Sequence, residues 1–363
     1  MTPAEPATVR LRGPADIVSS LPHLLGFHPS ESLVIMCLSG PRRRQRLTMR
    51  VDLPVAAAQA ETVVELAERV AHAGADSVVL MCYTAAPDAD GELPRADLIA
   101  DLARGLAARD IEVHDANLAR GTRWWSYVCA DPRCCPREGT ELPTELSAAV
   151  GELAAEAVWR GGVALPDRAA LVASIAPAPE PETATVPETA TVPETASVPE
   201  TATVPETASV PETASVPETA TVAAGATVGL SPAAAVELAR VVLGRYRQGR
   251  PGLSDVEGAQ LRAGLRDVRV RDEIATWGLE PAPETLLSLL TDLARTCPPA
   301  DAAPACTLLA WVAYLGGNGA LANVALDRAL GAEADYSMAL LLDEALEAQL
   351  PPAAIRRLTA PAD

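Results

Sequence analysis

Short apolar runs alternate with amphipathic stretches through the first half of the chain, and helical periodicity takes over the last third. Leu33-Val34-Ile35-Met36-Cys37-Leu38, bounded by Pro29-Ser30 and Ser39-Gly40, has the length and β-branched content of a buried strand. Upstream, Pro14 follows Gly13 and opens a helical pattern that stops at Gly26, because proline's fixed φ suits a first turn and glycine a left-handed stop. With the residues around Leu11 ahead of that helix, the opening reads strand, helix, strand. Only Pro41–Arg46 separate the apolar run from a strand over 47–53, too few residues for a crossover helix, so these two strands are antiparallel neighbours. Next comes an amphipathic helix over 56–72, with Val63, Leu66 and Val70 on one side and Glu61, Glu65 and Glu68 on the other. Gly74 closes it, and a buried strand follows over 77–83. A helix over 95–109, strands over 111–118 and 122–128 turning at Ala119-Arg120-Gly121, and helices over 141–159 and 167–174 complete the pattern. Strands alternating with helices, with hairpins among them, predict an α/β fold: a mixed sheet with flanking helices.

From Pro181 to Val222 the hexad Pro-Glu-Thr-Ala-(Thr/Ser)-Val repeats seven times in 42 residues. A proline at every sixth position breaks any longer helix, and one valine per hexad buries too little to offset the entropy of ordering the chain. This predicts a disordered linker. Beyond it, Ser231-Pro232 starts a run of helical stretches over 236–243, 256–265, 268–277, 285–293, 307–315, 321–330 and 338–346, separated by glycine and proline breakers. The expected organisation is a flexible N-terminus (1–8), an α/β domain (9–178), a disordered repeat linker (179–228), an all-α helical-hairpin domain (229–350) and a C-terminal tail (351–363). The tether makes the two folded parts independent bodies.

Composition narrows the function classes. The net charge of −19 is spread along the chain: 17 Arg against 23 acids in residues 1–179, eight Glu and no base in 180–222, and 12 Arg against 17 acids in 223–363. Every basic residue is arginine. Such a balance repels phosphate backbones, which argues against nucleic acid as a partner. Arg42-Arg43-Arg44 and Arg46 are a local exception, in a solvated turn or against an acidic contact. The N-terminal residues do not read as a signal peptide, the longest apolar stretch (305–317) is too short for a bilayer, and seven cysteines without a secretory address point to reduced thiols. The expectation is a cytoplasmic protein away from membranes.

Two resemblances can be named. Gly317-Asn318-Gly319-Ala320-Leu321-Ala322, Asp327-Arg328-Ala329-Leu330 and Asp335-Tyr336 resemble the second helix and exit turn of a tetratricopeptide repeat, with small residues at Ala322 and Ala329 allowing close helix approach. Ala334 stands where the expected turn proline would be. More broadly, Leu11-Arg12-Gly13-Pro14-Ala15-Asp16, Leu25-Gly26-Phe27-His28-Pro29, Arg50-Val51-Asp52-Leu53-Pro54, Cys134-Cys135-Pro136-Arg137-Glu138-Gly139 and the 317–336 hairpin together resemble the actinobacterial domain-of-unknown-function family 4192. That resemblance implies a bacterial cytoplasmic protein and carries no activity, cofactor or catalytic residue.

Candidate chemistry lies in three places. Cys129, Cys134 and Cys135 put three thiols within seven residues; zinc would take a fourth ligand, with His114 on the preceding strand the nearest candidate if the hairpin register brings it to the face of Cys129. The alternatives are a redox pair and packed structural thiols. His28, with Glu31 behind it, enters a central strand and reads either as a general base or as a loop tie; an entering loop is expected at the edge opposite the usual ligand-binding one. Asp52, Thr84 and Asp88 follow strand C-termini and share a crevice if those strands run parallel. His23 is expected in the core, and of Trp124 and Trp125 one is expected to be buried and the other to mark an interface. No glycine-rich phosphate loop or nucleophile elbow is present. The leading expectation is therefore a non-enzymatic binding or adaptor protein that meets a protein partner through its helical half, with no cofactor. The alternatives are a small-molecule enzyme sited near Asp52, Thr84 and Asp88, and a zinc-binding protein.

Overall fold

Glycine and proline punctuation sets the first helix, α1 (Pro14–Leu25), which has proline in its first turn and ends on Gly26 at φ 79°. The expected strand before it is absent: the Arg12 N–H donates to the Asp16 carboxylate at 2.8 Å, tying the chain to the helix's first turn rather than entering a ladder. The computed structural model describes residues 9–89, 91–159, 162–177, 230–280 and 283–359; the expectations placed on residues 1–8, on the repeat tract and on 360–363 lie outside them.

A six-stranded mixed sheet follows, its strands lying side by side in the order 44–52, 32–39, 77–83, 112–120, 123–126 and 140–141. β1 (Ser32–Ser39) is an interior strand, second from one edge, and its residues 32–38 are all buried. Two strands flank it antiparallel: β2 (Arg44–Asp52), paired Ser32 to Asp52, and β3 (Ser77–Tyr83), paired Ser32 to Tyr83. Between them runs α2 (Gln59–His72), preceded by a 3-10 turn over Ala56–Ala58. The helix α3 (Ala96–Ala107) then leads to β4 (Glu112–Arg120), parallel to β3.

The next hairpin differs from expectation. Its turn is Gly121-Thr122 rather than Ala119-Arg120-Gly121, with Gly121 at φ 59°, as a two-residue hairpin turn requires. Arg120 thus pairs with Arg123 and Leu118 with Trp125, and β5 is short (Arg123–Ser126). Thr140–Glu141 form an edge strand, β6, on β5, so the helix expected from Glu141 begins only at Ala148 (α4, Ala148–Trp159). The Asp167 carboxylate caps α5 (Arg168–Ile175) by accepting from Ala170 N–H at 2.7 Å.

Alternation in the strands sorts the two faces. Leu33, Ile35, Cys37, Val78, Leu80, Cys82, Leu118 and Trp125 pack against α2 and α3. Val34, Met36, Leu38, Val79, Met81 and Trp124 belong to a second cluster with Val18, Leu21 and Leu25 of α1. Both tryptophans are therefore buried, on opposite faces, and neither marks an exposed interface.

The C-terminal part is helical throughout: α6 (Pro232–Arg247), α7 (Asp255–Leu265), α8 (Val268–Trp277), α9 (Glu284–Arg295), α10 (Ala302–Leu315), α11 (Gly319–Ala332), α12 (Ser337–Glu347) and α13 (Pro352–Thr359). Ser231 caps α6, and Ser254 with Glu257 forms a capping box on α7. Small residues let α10 and α11 meet along their lengths: Ala303, Ala310, Ala313, Ala322, Ala325 and Ala329 are buried. Where a tail was expected stands α13, fastened by Arg356, which donates to Leu279 O (3.0 Å) and Leu315 O (3.2 Å).

The two halves do not form separate bodies. The described residues of 9–177 and 230–359 make up one unit. The cluster on the α1 side of the sheet continues through Leu171 and Ile175 of α5 into α9, α10 and α11. Arg328 of α11 pins this junction, donating to Ile175 O of α5, to Ala294 O of α9 (2.9 Å) and to Cys297 O (3.0 Å). His72 Nε2 meets Ala348 O at 3.1 Å, and Gln349 reaches the Met49 sulfur at 3.2 Å. The physical reason is α5: its buried Leu171 and Ile175 are covered by helices of the C-terminal half.

Candidate functional site

Strand direction decides what the sheet edge brings together. Because β1 runs antiparallel to β2 and β3, the loop entering β1 lies at the same edge as the exits of β2, β3 and β4, not at the opposite one. Glu31, at φ 41°, turns its carboxylate onto the end of β3, where Oε2 accepts from the Thr84 hydroxyl and Oε1 from Ala85 N–H, both at 2.8 Å. Its carbonyl accepts from Leu53 N–H at 3.0 Å, so one residue fastens three strand ends. Asp88 pairs with Arg120 (3.0 Å), which lies 4.6 Å from the Trp125 ring centroid and also donates to Ala86 O (2.7 Å). Asp52 pairs with Arg50 at 2.6 Å. His28 is exposed; its backbone N–H, donating to Leu165 O at 2.9 Å, ties the loop rather than its ring. The edge thus gathers Glu31, Thr84, Asp52 and Asp88, each held by another group of the protein.

The cysteine loop is built from β5 outward. Ser126 Oγ accepts from the N–H groups of Val128 (3.2 Å) and Cys129 (3.0 Å), turning the chain out of the sheet. Asp131 O then accepts from Cys134 and Cys135 N–H, at 3.2 and 2.8 Å. The three sulfurs converge: Cys129 to Cys134 is 3.1 Å, Cys134 to Cys135 is 3.7 Å, and all lie within 4.8 Å of one another. Hydrogen bonding from Cys134 lowers the Cys129 pKa, while burial first, and then the neighbouring thiols, push Cys135 up to about 12. The loop's return is fixed by Trp125 Nε1, which donates to Arg137 O (3.0 Å), and by Arg123, which donates to Glu138 O and Gly139 O. Gly139 is required there: at φ 76°, a Cβ would stand 2.3 Å from the Trp125 ring.

The hairpin register has the parity that puts His114 and Cys129 on one face, yet they do not meet. The chain leaves the sheet after Tyr127, whose N–H still donates to Ala116 O at 2.8 Å, and His114 Nε2 lies 3.3 Å from Arg43 Nη1 at the other end of β4. Among the described residues, the thiol group contains the three cysteines alone.

A cleft of about 920 Å³ opens where the halves meet. Leu24 of α1, Leu153 of α4, Val163, Leu165, Leu287 of α9 and Leu315 of α10 give it apolar walls. Its polar lining is substantial and mostly acidic: Glu152, Glu156, Glu284 and Asp292 stand with Ser288, Thr291 and Asn318, and Arg356 adds a cation. The Tyr246 hydroxyl donates to Asp292 Oδ2 at 2.6 Å; burial, and then this bond, raise the phenol's pKa. His23, expected in the core, lines the cleft half-buried instead, and burial first, then the nearby His28, hold its pKa below the ordinary histidine value. No local sequence signal marks this cleft, because its walls come from segments far apart in the chain.

A mixed sheet with a helical half packed on it, and a cleft where they join, is the class of protein this geometry defines. A family profile for a domain of unknown function (DUF4192) matches residues 14–353, and the chain belongs to that family. No curated protein matches it, and no solved structure does. Among the described residues, no helix is long and apolar enough to cross a membrane.

Proposed function

We propose that this is a non-catalytic binding protein of the bacterial cytoplasm whose ligand, a small amphipathic molecule, seats in the cleft between the two halves. The observation that carries the reading is the cleft itself: concave, walled by apolar side chains with polar and charged groups among them, and of the size that small molecules fill. Four carboxylates, Glu152, Glu156, Glu284 and Asp292, outnumber the one guanidinium of Arg356 in the lining and favour a neutral or cationic ligand over an anion. An enzyme centred on Asp52, Thr84 and Asp88 has less support, since Arg50, Glu31 and Arg120 already engage those groups. The helical half offers the partner surface of an adaptor: Leu340 and Leu341 of α12 are exposed, just beyond the turn that resembles a tetratricopeptide exit.

Native mass spectrometry of the full chain, purified gently from its host, tests this. The expected result is a bound molecule of defined mass that Ser288→Trp excludes, with the circular dichroism spectrum unchanged. Ser288 is exposed on α9, so the indole fills the cleft and not the core. Retention of the same molecule by the variant, or no bound molecule together with no thermal shift from a metabolite library, contradicts it.

A further inference from the structure

We propose that Cys129, Cys134 and Cys135 bind one zinc ion through three thiolate sulfurs and leave its fourth position open to an incoming ligand. Two observations converge. The first is geometric: sulfur separations of 3.1 and 3.7 Å, with all three sulfurs inside 4.8 Å of one another, lie within about 0.7 Å of the roughly 3.8 Å edge of a tetrahedron built on Zn–S bonds of about 2.3 Å. The second is the platform. Trp125 and Arg123 hold the far end of the loop, and Ser126 and Asp131 shape the near end, so the donors are positioned by bonds that involve no thiol side chain.

The donor set names the ion class, because thiolates select soft metals and zinc accepts three of them with a free vertex. A disulfide fits less well: the Cys129–Cys134 separation exceeds the roughly 2.05 Å of a bond, and Cys135 would be left over. Cys134 is exposed, so the open vertex is accessible from solvent. His114, engaged by Arg43, does not fill it. The binding step is a ligand exchange without redox change: a hydrated zinc dication loses waters, the cysteines release their thiol protons to solvent, and three Zn–S bonds form.

The full chain, purified under reducing conditions without chelator, is the material for the test. The account expects about one zinc per chain, and sulfur-to-metal charge-transfer absorption when cobalt(II) replaces it. Each of Cys129→Ser, Cys134→Ser and Cys135→Ser should cut metal content to below about a tenth with an unchanged circular dichroism spectrum, because the loop's anchors remain. Four outcomes overturn the proposal: no zinc uptake by the reduced protein, uptake of copper(I) but not zinc, uptake unaffected by the three variants, or a cobalt spectrum without thiolate bands. Loss of the cleft ligand leaves it standing, and loss of zinc leaves the cleft reading standing.

Discussion

Arg328 fastens three carbonyls from two segments with one guanidinium, two of them at the C-terminal ends of α5 and α9, where a positive charge is also favoured by the helix dipoles. Arg328→Met keeps the stem and leaves those acceptors without their donor. The expected cost is about 2–4 kcal/mol in urea unfolding, since charge-assisted bonds to buried carbonyls are expensive to lose. The neighbouring ion pair Arg168–Asp327, at 3.0 Å but exposed on both sides, is the control: Arg168→Ala should cost under about 1 kcal/mol. A second residue-scale consequence concerns pH. His23 has a folded pKa below its unfolded value of about 6.5, so the unfolded chain takes up the proton first. The stability it contributes is present above that pH and is lost as pH falls through it, levelling off below the folded pKa. His23→Gln should flatten the fall in Tm just below pH 6.5; an unchanged profile would contradict this assignment.

At the scale of elements, legibility followed burial. The central strands β1 and β3 and the amphipathic α2 could be read directly, because burial on both faces or along one stripe imposes an unbroken or a 3.6-residue pattern. The β4–β5 turn could not, because several residues near it suit a turn and only the register, set by Trp124 and Trp125 entering opposite cores, selects Gly121-Thr122. Two-residue β6 carries no periodicity at all, and α13 is an eight-residue helix with Ile355 as a buried anchor, too short to show a repeating apolar stripe. The same logic divides the sites. Three cysteines in seven residues announced themselves by spacing. Glu31's place beside Thr84 depended on the antiparallel direction of β1, which the short link to β2 implied but the position of β3 had to complete. The cleft was invisible, because Leu24, Leu153 and Leu287 become neighbours only after long-range packing.

For the whole molecule, the consequential departure from expectation is the joining of the halves. Reading the repeat tract as a tether predicts two bodies; the buried face of α5 and the reach of Arg328 and Gln349 instead give one core shared by sheet and helices. The cleft exists because of that junction, so the functional reading depends on it. The chain's own cysteines report on it: Cys37 and Cys82 are buried in the sheet, Cys297 and Cys306 in the helical half. Pulsed thiol labelling across a urea gradient, with mass spectrometry resolving each site, reads both regions at once. The account predicts that all four thiols become reactive at one common midpoint, as in a single cooperative transition. Exposure of Cys297 and Cys306 at a urea concentration clearly separated from that of Cys37 and Cys82 would show two independent bodies and contradict it.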